Sequence, residues 1–175
     1  MVSVYTNDLR LEEIGNGDQS GTWGATTNTN LRLIADAFGY GTESIPVPIP
    51  GNPPTTHTTD IDDGIVAQGR SLFLKYTSAN LLNSACTITI GPPTVSKLWF
   101  IQNSTSGGQD IIIKQGSGAM ITVPNGQVKA IFSDGAGNTA SMTDAFTGLS
   151  VPSLFIAGAA PVGIGDVLAL SIALG

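Results

Sequence analysis

A chain of 175 residues has room for one ordinary domain plus accessories, and only 11% of its side chains are charged where about a quarter is usual. Seven basic against thirteen acidic residues give a net charge of −6, and the four lysines and three arginines stand singly, so nucleic acid finds no positive footprint here. With Gly 22, Pro 10 and a mean hydropathy of +0.21, the composition describes a turn-rich, mainly β chain that buries apolar surface between subunits as well as within one.

Residues 1–6 carry neither a basic nor an apolar leader region, which predicts no secretory signal. Residues 1–44 read as a first unit that docks on a particle. It opens with an acidic extended arm bearing Leu9, Leu11 and Ile14, closed by the turn Gly15-Asn16-Gly17-Asp18. Trp23 follows between Gly21 and Gly24, where the backbone can approach a neighbour and the indole can insert. Asn28, Thr29 or Asn30 can cap a short helix whose Leu31, Ile34 and Phe38 recur at i, i+3, i+7, and Gly39 suits its end. A helix of about ten residues is marginal alone. Its apolar face, with the arm and Trp23, is therefore the expected docking surface.

Residues 45–60 read as a Pro/Thr-rich linker, with five prolines in 46–54 holding a semi-rigid extended path. Residues 61–145 read as a β module with strands over 71–77, 86–90, 97–103, 110–115, 119–123 and 127–133. Leu72, Leu74 and Tyr76 share one face of the first. Pro124-Asn125-Gly126 is the strongest hairpin signal. Such regular spacing predicts an antiparallel sandwich or jelly-roll-like module. Residues 146–175 are apolar but broken by Gly158, Pro161, Gly163, Gly165 and Asp166, so they do not form a membrane-spanning helix. Leu168, Leu170, Ile172 and Leu174 fall on one side of a terminal strand, the expected oligomer interface.

Signals for chemistry are weak. His57 is the single histidine and lies in the expected linker, where a catalytic base would be poorly oriented. Cys86 is alone and reads as a small buried hydrophobe, so neither a disulfide nor a zinc site is expected. Asp60, Asp62 and Asp63 partly suit calcium but lack the later glutamate of an EF-hand; alternatively Asp60 or Asp62 caps a turn over 65–67. Gly116-Ser117-Gly118 and Gly135-Ala136-Gly137 have no following helix or lysine and read as hairpin turns rather than phosphate cradles. Glu12-Glu13 sits on an arm too loose to hold a glycosidic acid–base pair. No enzyme and no cofactor is expected.

The run LRLEEIGNGDQSGTWGATTNTNLRLIADAFG, residues 9–39, resembles the amino-terminal segment of tailed-phage virion structural proteins, notably marine and cyanophage tail-fibre-like chains. Residues 107–137, GGQDIIIKQGSGAMITVPNGQVKAIFSDGAG, resemble the β-rich module that follows it. The resemblance implies a virion protein, most simply of the tail, anchored by its amino-terminal arm to other tail or capsid proteins and assembled as a homotrimer. A fibre that meets a host surface receptor usually runs on beyond such a module, whereas this chain stops at Gly175. A short fibre, a fibre adaptor and a capsid decoration protein are thus all expected roles. A carbohydrate-binding module is the alternative of another class, weighed against eleven aromatic residues of which Trp99 reads as core.

Overall fold

Through its first six strands the chain changes sheet at every strand. The structure, a computed structural model, describes residues 2–46 and 53–147. In chain order the elements are α1 (Trp23–Ala37), β1 (Tyr40–Ile45), β2 (Thr56–Asp60), β3 (Phe73–Ser78), β4 (Cys86–Gly91), β5 (Leu98–Asn103), β6 (Ile111–Lys114), β7 (Ile121–Val123), β8 (Val128–Ser133) and β9 (Met142–Asp144). Short 3₁₀ turns lie at Gln68–Arg70 and Gly137–Thr139. One sheet has the order β1-β3-β5-β8-β9, the other β2-β4-β6-β7. Both are mixed.

The strands β1-β3-β5 are parallel, as are β2-β4-β6. This corrects the antiparallel expectation. A parallel pair needs a long crossover, and here the crossover is itself a strand of the opposite sheet. Alternating apolar and polar residues look the same in either arrangement, so the period alone could not reveal it. Only β7, β8 and β9 turn antiparallel, onto β6, β5 and β8 respectively.

All six expected strands form, each within two residues of the expected ends. The Pro124-Asn125-Gly126 hairpin does not. Gly126 has φ of +78° and Gln127 N–H donates to Pro124 O at 3.1 Å, so the turn exists. It carries the chain from β7 in one sheet to β8 in the other. The true hairpins are the Gly116-Ser117-Gly118 turn between β6 and β7 and the longer connection between β8 and β9. They are hooked together: Ser117 N–H donates to Asn138 O, and Met142 N–H to Ala119 O at 2.9 Å. A Cβ on Gly118 would stand 2.1 Å from Ser141 Oγ, so glycine permits that approach.

Both sheets contribute large side chains to one core. Leu74, Tyr76, Trp99, Ile101 and Ile131 come from the first, and Ile88, Ile90, Ile111, Ile113 and Val123 from the second. Trp99 and Cys86 are fully buried, as expected of them. Amides do the anchoring that charges do elsewhere. Asn103 Nδ2 donates to Gln109 O and Val123 O, and its Oδ1 accepts from Thr105 N and Oγ1. Gln115 Nε2 donates to Pro92 O and Val95 O, and its Oε1 accepts from Ser133. Among the described residues no buried side-chain polar atom lacks a partner.

The amino-terminal region departs most from expectation. Residues 1–145 form one compact unit. Tyr40–Ile45 is an edge strand of the first sheet and Thr56–Asp60 an edge strand of the second, so the expected linker of 45–60 is structured at both ends. His57 is no solvated linker residue. Its Nε2 lies 3.1 Å from Glu43 Oε1, bridging the two edge strands. The helix is 15 residues long and begins at Trp23, which leaves Asn28, Thr29 and Asn30 inside it and no side-chain cap at Thr22. Phe38 is its C-cap and Gly39 N–H donates to Asp36 O at 2.9 Å, as expected of a C′ residue. A second unit begins at Phe146, of which only Phe146 and Thr147 are described.

Candidate interaction surface

Two surfaces stand out, one polar and sealed, the other apolar and open. The sealed one holds the arm. Arg70 is fully buried, and its guanidinium donates to three backbone carbonyls: Nε to Leu9 at 2.8 Å, Nη1 to Ile65 at 2.6 Å and Nη2 to Asp62 at 2.6 Å. Burial pulls its pKa down, while Asp36, Asp62 and Asp63 act against that. Asp8 accepts from Ser96 N at 2.8 Å, Arg10 pairs with Asp63 at 2.6 Å, and Gly64 N–H donates to Arg10 O. Asn30 completes the attachment: its amide donates to Glu12 O at 2.8 Å and accepts from Glu12 N at 3.1 Å, so the helix grips the arm backbone. Leu9, Leu11 and Ile14 are accordingly half-buried.

Beside this node, Arg10, Asp60, Asp62, Asp63 and Pro92 line an open cavity of about 480 Å³. Arg10 already neutralises Asp63 there. Among the described residues no group of three acidic, His or Cys side chains is placed to hold a metal ion. Neither Asp60 nor Asp62 caps a turn over 65–67; the 3₁₀ turn sits at Gln68–Arg70 and has no side-chain cap.

Lys97 is drawn in with Arg70. Its ammonium donates to Arg70 O at 2.7 Å and lies 5.2 Å from the Trp99 ring centroid. Burial, with the Arg70 charge adding to it, lowers the Lys97 pKa to about 8.

The open surface starts on the helix. Leu33 and Ala37 form its buried face, whereas Trp23, Leu31 and Phe38 are 63%, 58% and 76% exposed, with Ile34 half-buried between them. At 100° per residue these four fall within one stripe beside the buried face. The spacing Leu31, Ile34, Phe38 thus does mark one side of the helix, but it is the side turned from the protein's own core. Trp23 is a helix residue, not a turn anchor, and its indole meets solvent.

The same exposure continues on the outer face of the five-stranded sheet. Tyr40, Phe73 and Phe100 are neighbours in register on β1, β3 and β5. Their rings stack at 5.3 Å and 6.1 Å between centroids, with interplanar angles of 20° and 10°. Leu98 on β5 and Phe132 on β8 stand opposite one another on this face, both exposed. The outward alternation of Phe73 could be read beside Leu72, Leu74 and Tyr76. The alignment of three rings on three strands needed the parallel register. Their faces are occupied by one another, which leaves ring edges outward and suits protein contact better than stacking on a sugar.

Leu168, Leu170, Ile172 and Leu174, the expected oligomer interface, lie outside the described residues. No helix among the described residues is long and apolar enough to cross a membrane. Comparison with family models, with curated proteins and with solved structures returns no match.

Proposed function

We propose that this chain is a non-enzymatic structural component of a tailed-phage virion, a short tail fibre or fibre-type protein that docks on the particle through its amino-terminal region. A capsid decoration or fibre-adaptor protein is the same reading at another address. In its finer form the two sheets pack face to face as a sandwich, a reading supported by their single shared core. The observation that carries the proposal is the Trp23–Leu31–Phe38 stripe. A helix pinned to the protein by Leu33, Ala37 and Asn30 still exposes its largest apolar residues. Buried aromatics at interface centres commonly contribute about 2 kcal/mol or more each. The docking surface in this reading is therefore a rigid helix face rather than a loose arm, and the chain assembles as a homo-oligomer on the particle.

The test is incorporation. Trp23→Ala and Phe38→Ser chains should fold with wild-type circular dichroism and be depleted from purified particles. Wild-type occupancy of both variants in those particles would remove the docking role.

A further inference from the structure

We propose that the outer face of the five-stranded sheet is a self-association surface that pairs with the same face of a second copy, related by a two-fold axis parallel to the strands. The inference rests on the reading of this chain as a homo-oligomeric structural protein and names the surface that would do it.

The first argument is charge. Among the outward-facing positions of β1, β3, β5, β8 and β9, Lys75 is the only charged residue. Its row, Thr42–Lys75–Gln102–Val128, lies on one side of the aromatic row, where a lysine stem can lie flat and carry its ammonium to the rim. A face without charge selects a partner face without charge, and this chain supplies one.

The second argument is relief. Tyr40, Phe73 and Phe100 form a ridge over β1, β3 and β5. In the same row β8 carries Ala130, and β9 carries only Thr143 nearby. In this row the sheet is therefore high on its β1 half and low on its β9 half, with β5 at the centre of the order, whereas the Leu98–Phe132 row rises over β5 and β8 and lies before the first residue of β3. Rotation by 180° about an axis parallel to the strands and above β5 lays the β1 half of one copy over the β9 half of the other. Tyr40 and Phe73 then lie over the low positions of the partner's row, while Phe100 meets its own copy on the axis, as an isologous interface allows.

The third argument is size. Five strands of ordinary spacing and length cover about 20 Å by 20 Å. That is roughly 400 Å² in projection against the roughly 800 Å² per partner of a standard interface, the size of a weakly associating pair.

The full-length chain tests this by sedimentation equilibrium and by cross-linking. The wild type should dimerise, and Phe132→Lys and Tyr40→Lys should each weaken the dimer at least about 30-fold while keeping the circular dichroism and melting temperature of wild type. A mixture of Tyr40→Cys and Thr143→Cys chains treated with a bis-maleimide of about 10 Å reach should give a cross-linked pair, because facing sheets lie about 10 Å apart. Native Cys86 is buried and should not react. A dimer or larger assembly indifferent to both lysines would overturn the proposal while leaving homo-oligomerisation intact. Cross-linking in Tyr40→Cys alone, with none in the mixture, would overturn the two-fold arrangement. A wild-type monomer at all concentrations would overturn the proposal together with homo-oligomerisation, and the Trp23 incorporation assay would still report separately on docking.

Discussion

The Arg70 node and the outer face of the five-stranded sheet invert the usual placement of residue types. At the node an arginine is fully buried; on the sheet face Tyr40 remains 57% exposed, in a row of stacked rings. Each inversion has its own compensation. The guanidinium is buried because three carbonyls from the arm and the loop accept from it, so its desolvation is offset within the chain. The rings have partners only in one another, and their outer edges have none among the described residues. A satisfied buried charge therefore serves folding, while the unsatisfied apolar face is the one proposed above for assembly. Substitutions at the two places should separate accordingly.

The largest effect should come from Arg70→Met. It leaves the carbonyls of Leu9, Asp62 and Ile65 without donors, at an expected cost of about 3 kcal/mol or more. Urea denaturation should show the loss. A variant as stable as wild type would mean that the arm is held by its other contacts. For the same reason, deletion of residues 1–44 should unfold the β module rather than release it, because the deletion takes away β1 and the anchor of Arg70.

The pH dependence of stability sharpens the node further. Lys97 titrates at about 8 when folded and near its ordinary 10.5 when unfolded. Between these values the unfolded chain holds a proton that the folded chain has lost, so this residue's contribution to stability rises with pH across that window and is flat outside it. Burial raises Cys86 and Tyr76, which act oppositely once their unfolded forms ionise, from about pH 9 and 10 respectively. Comparison of wild type with Lys97→Met isolates the lysine. The wild type should gain stability relative to the variant from pH 8 upward, and parallel profiles would contradict the buried amine.

Asn30→Ala should cost less, about 1–2 kcal/mol, since it removes two hydrogen bonds to one backbone residue. Hydrogen exchange should show the loss confined to the arm around Glu12, with β3–β6 unchanged. The smallest stability effect belongs to Trp23→Ala, within about 0.5 kcal/mol of wild type because the indole touches little of its own protein. A large loss of melting temperature there would show that the helix stripe has an intramolecular role, and would blur the contrast between the two regions.

Local signals carried the strands because alternation of side chains is a property of the chain itself. Leu74 and Tyr76 turn inward in β3, and Ile88 and Ile90 in β4, as their spacing demands. Gly39 ends the helix and Gly116-Ser117-Gly118 makes a hairpin for equally local reasons. The helix was legible only in part, since Trp23 to Asn30 contains no apolar residue that repeats toward the core. Arg70 and Asn30 gave no warning. Each acts on residues far along the chain, Arg70 on Leu9 and Asn30 on Glu12, and nothing within a short window records such a partner.

By itself, then, the order of residues determined a low-charge, mainly β chain with one helix, and where six of the nine described strands lie. Tertiary structure alone decided which strands are neighbours. A strand's period is the same whether its neighbour runs parallel or antiparallel, so only packing around the shared core could wind β1 to β6 back and forth between two sheets. That winding brought Tyr40, Phe73 and Phe100 into one row, although more than twenty residues separate each from the next. The same packing placed Leu33 and Ala37 inward and left Trp23, Leu31 and Phe38 outside, because a helix with apolar residues on adjoining faces can bury only the face that meets its own protein.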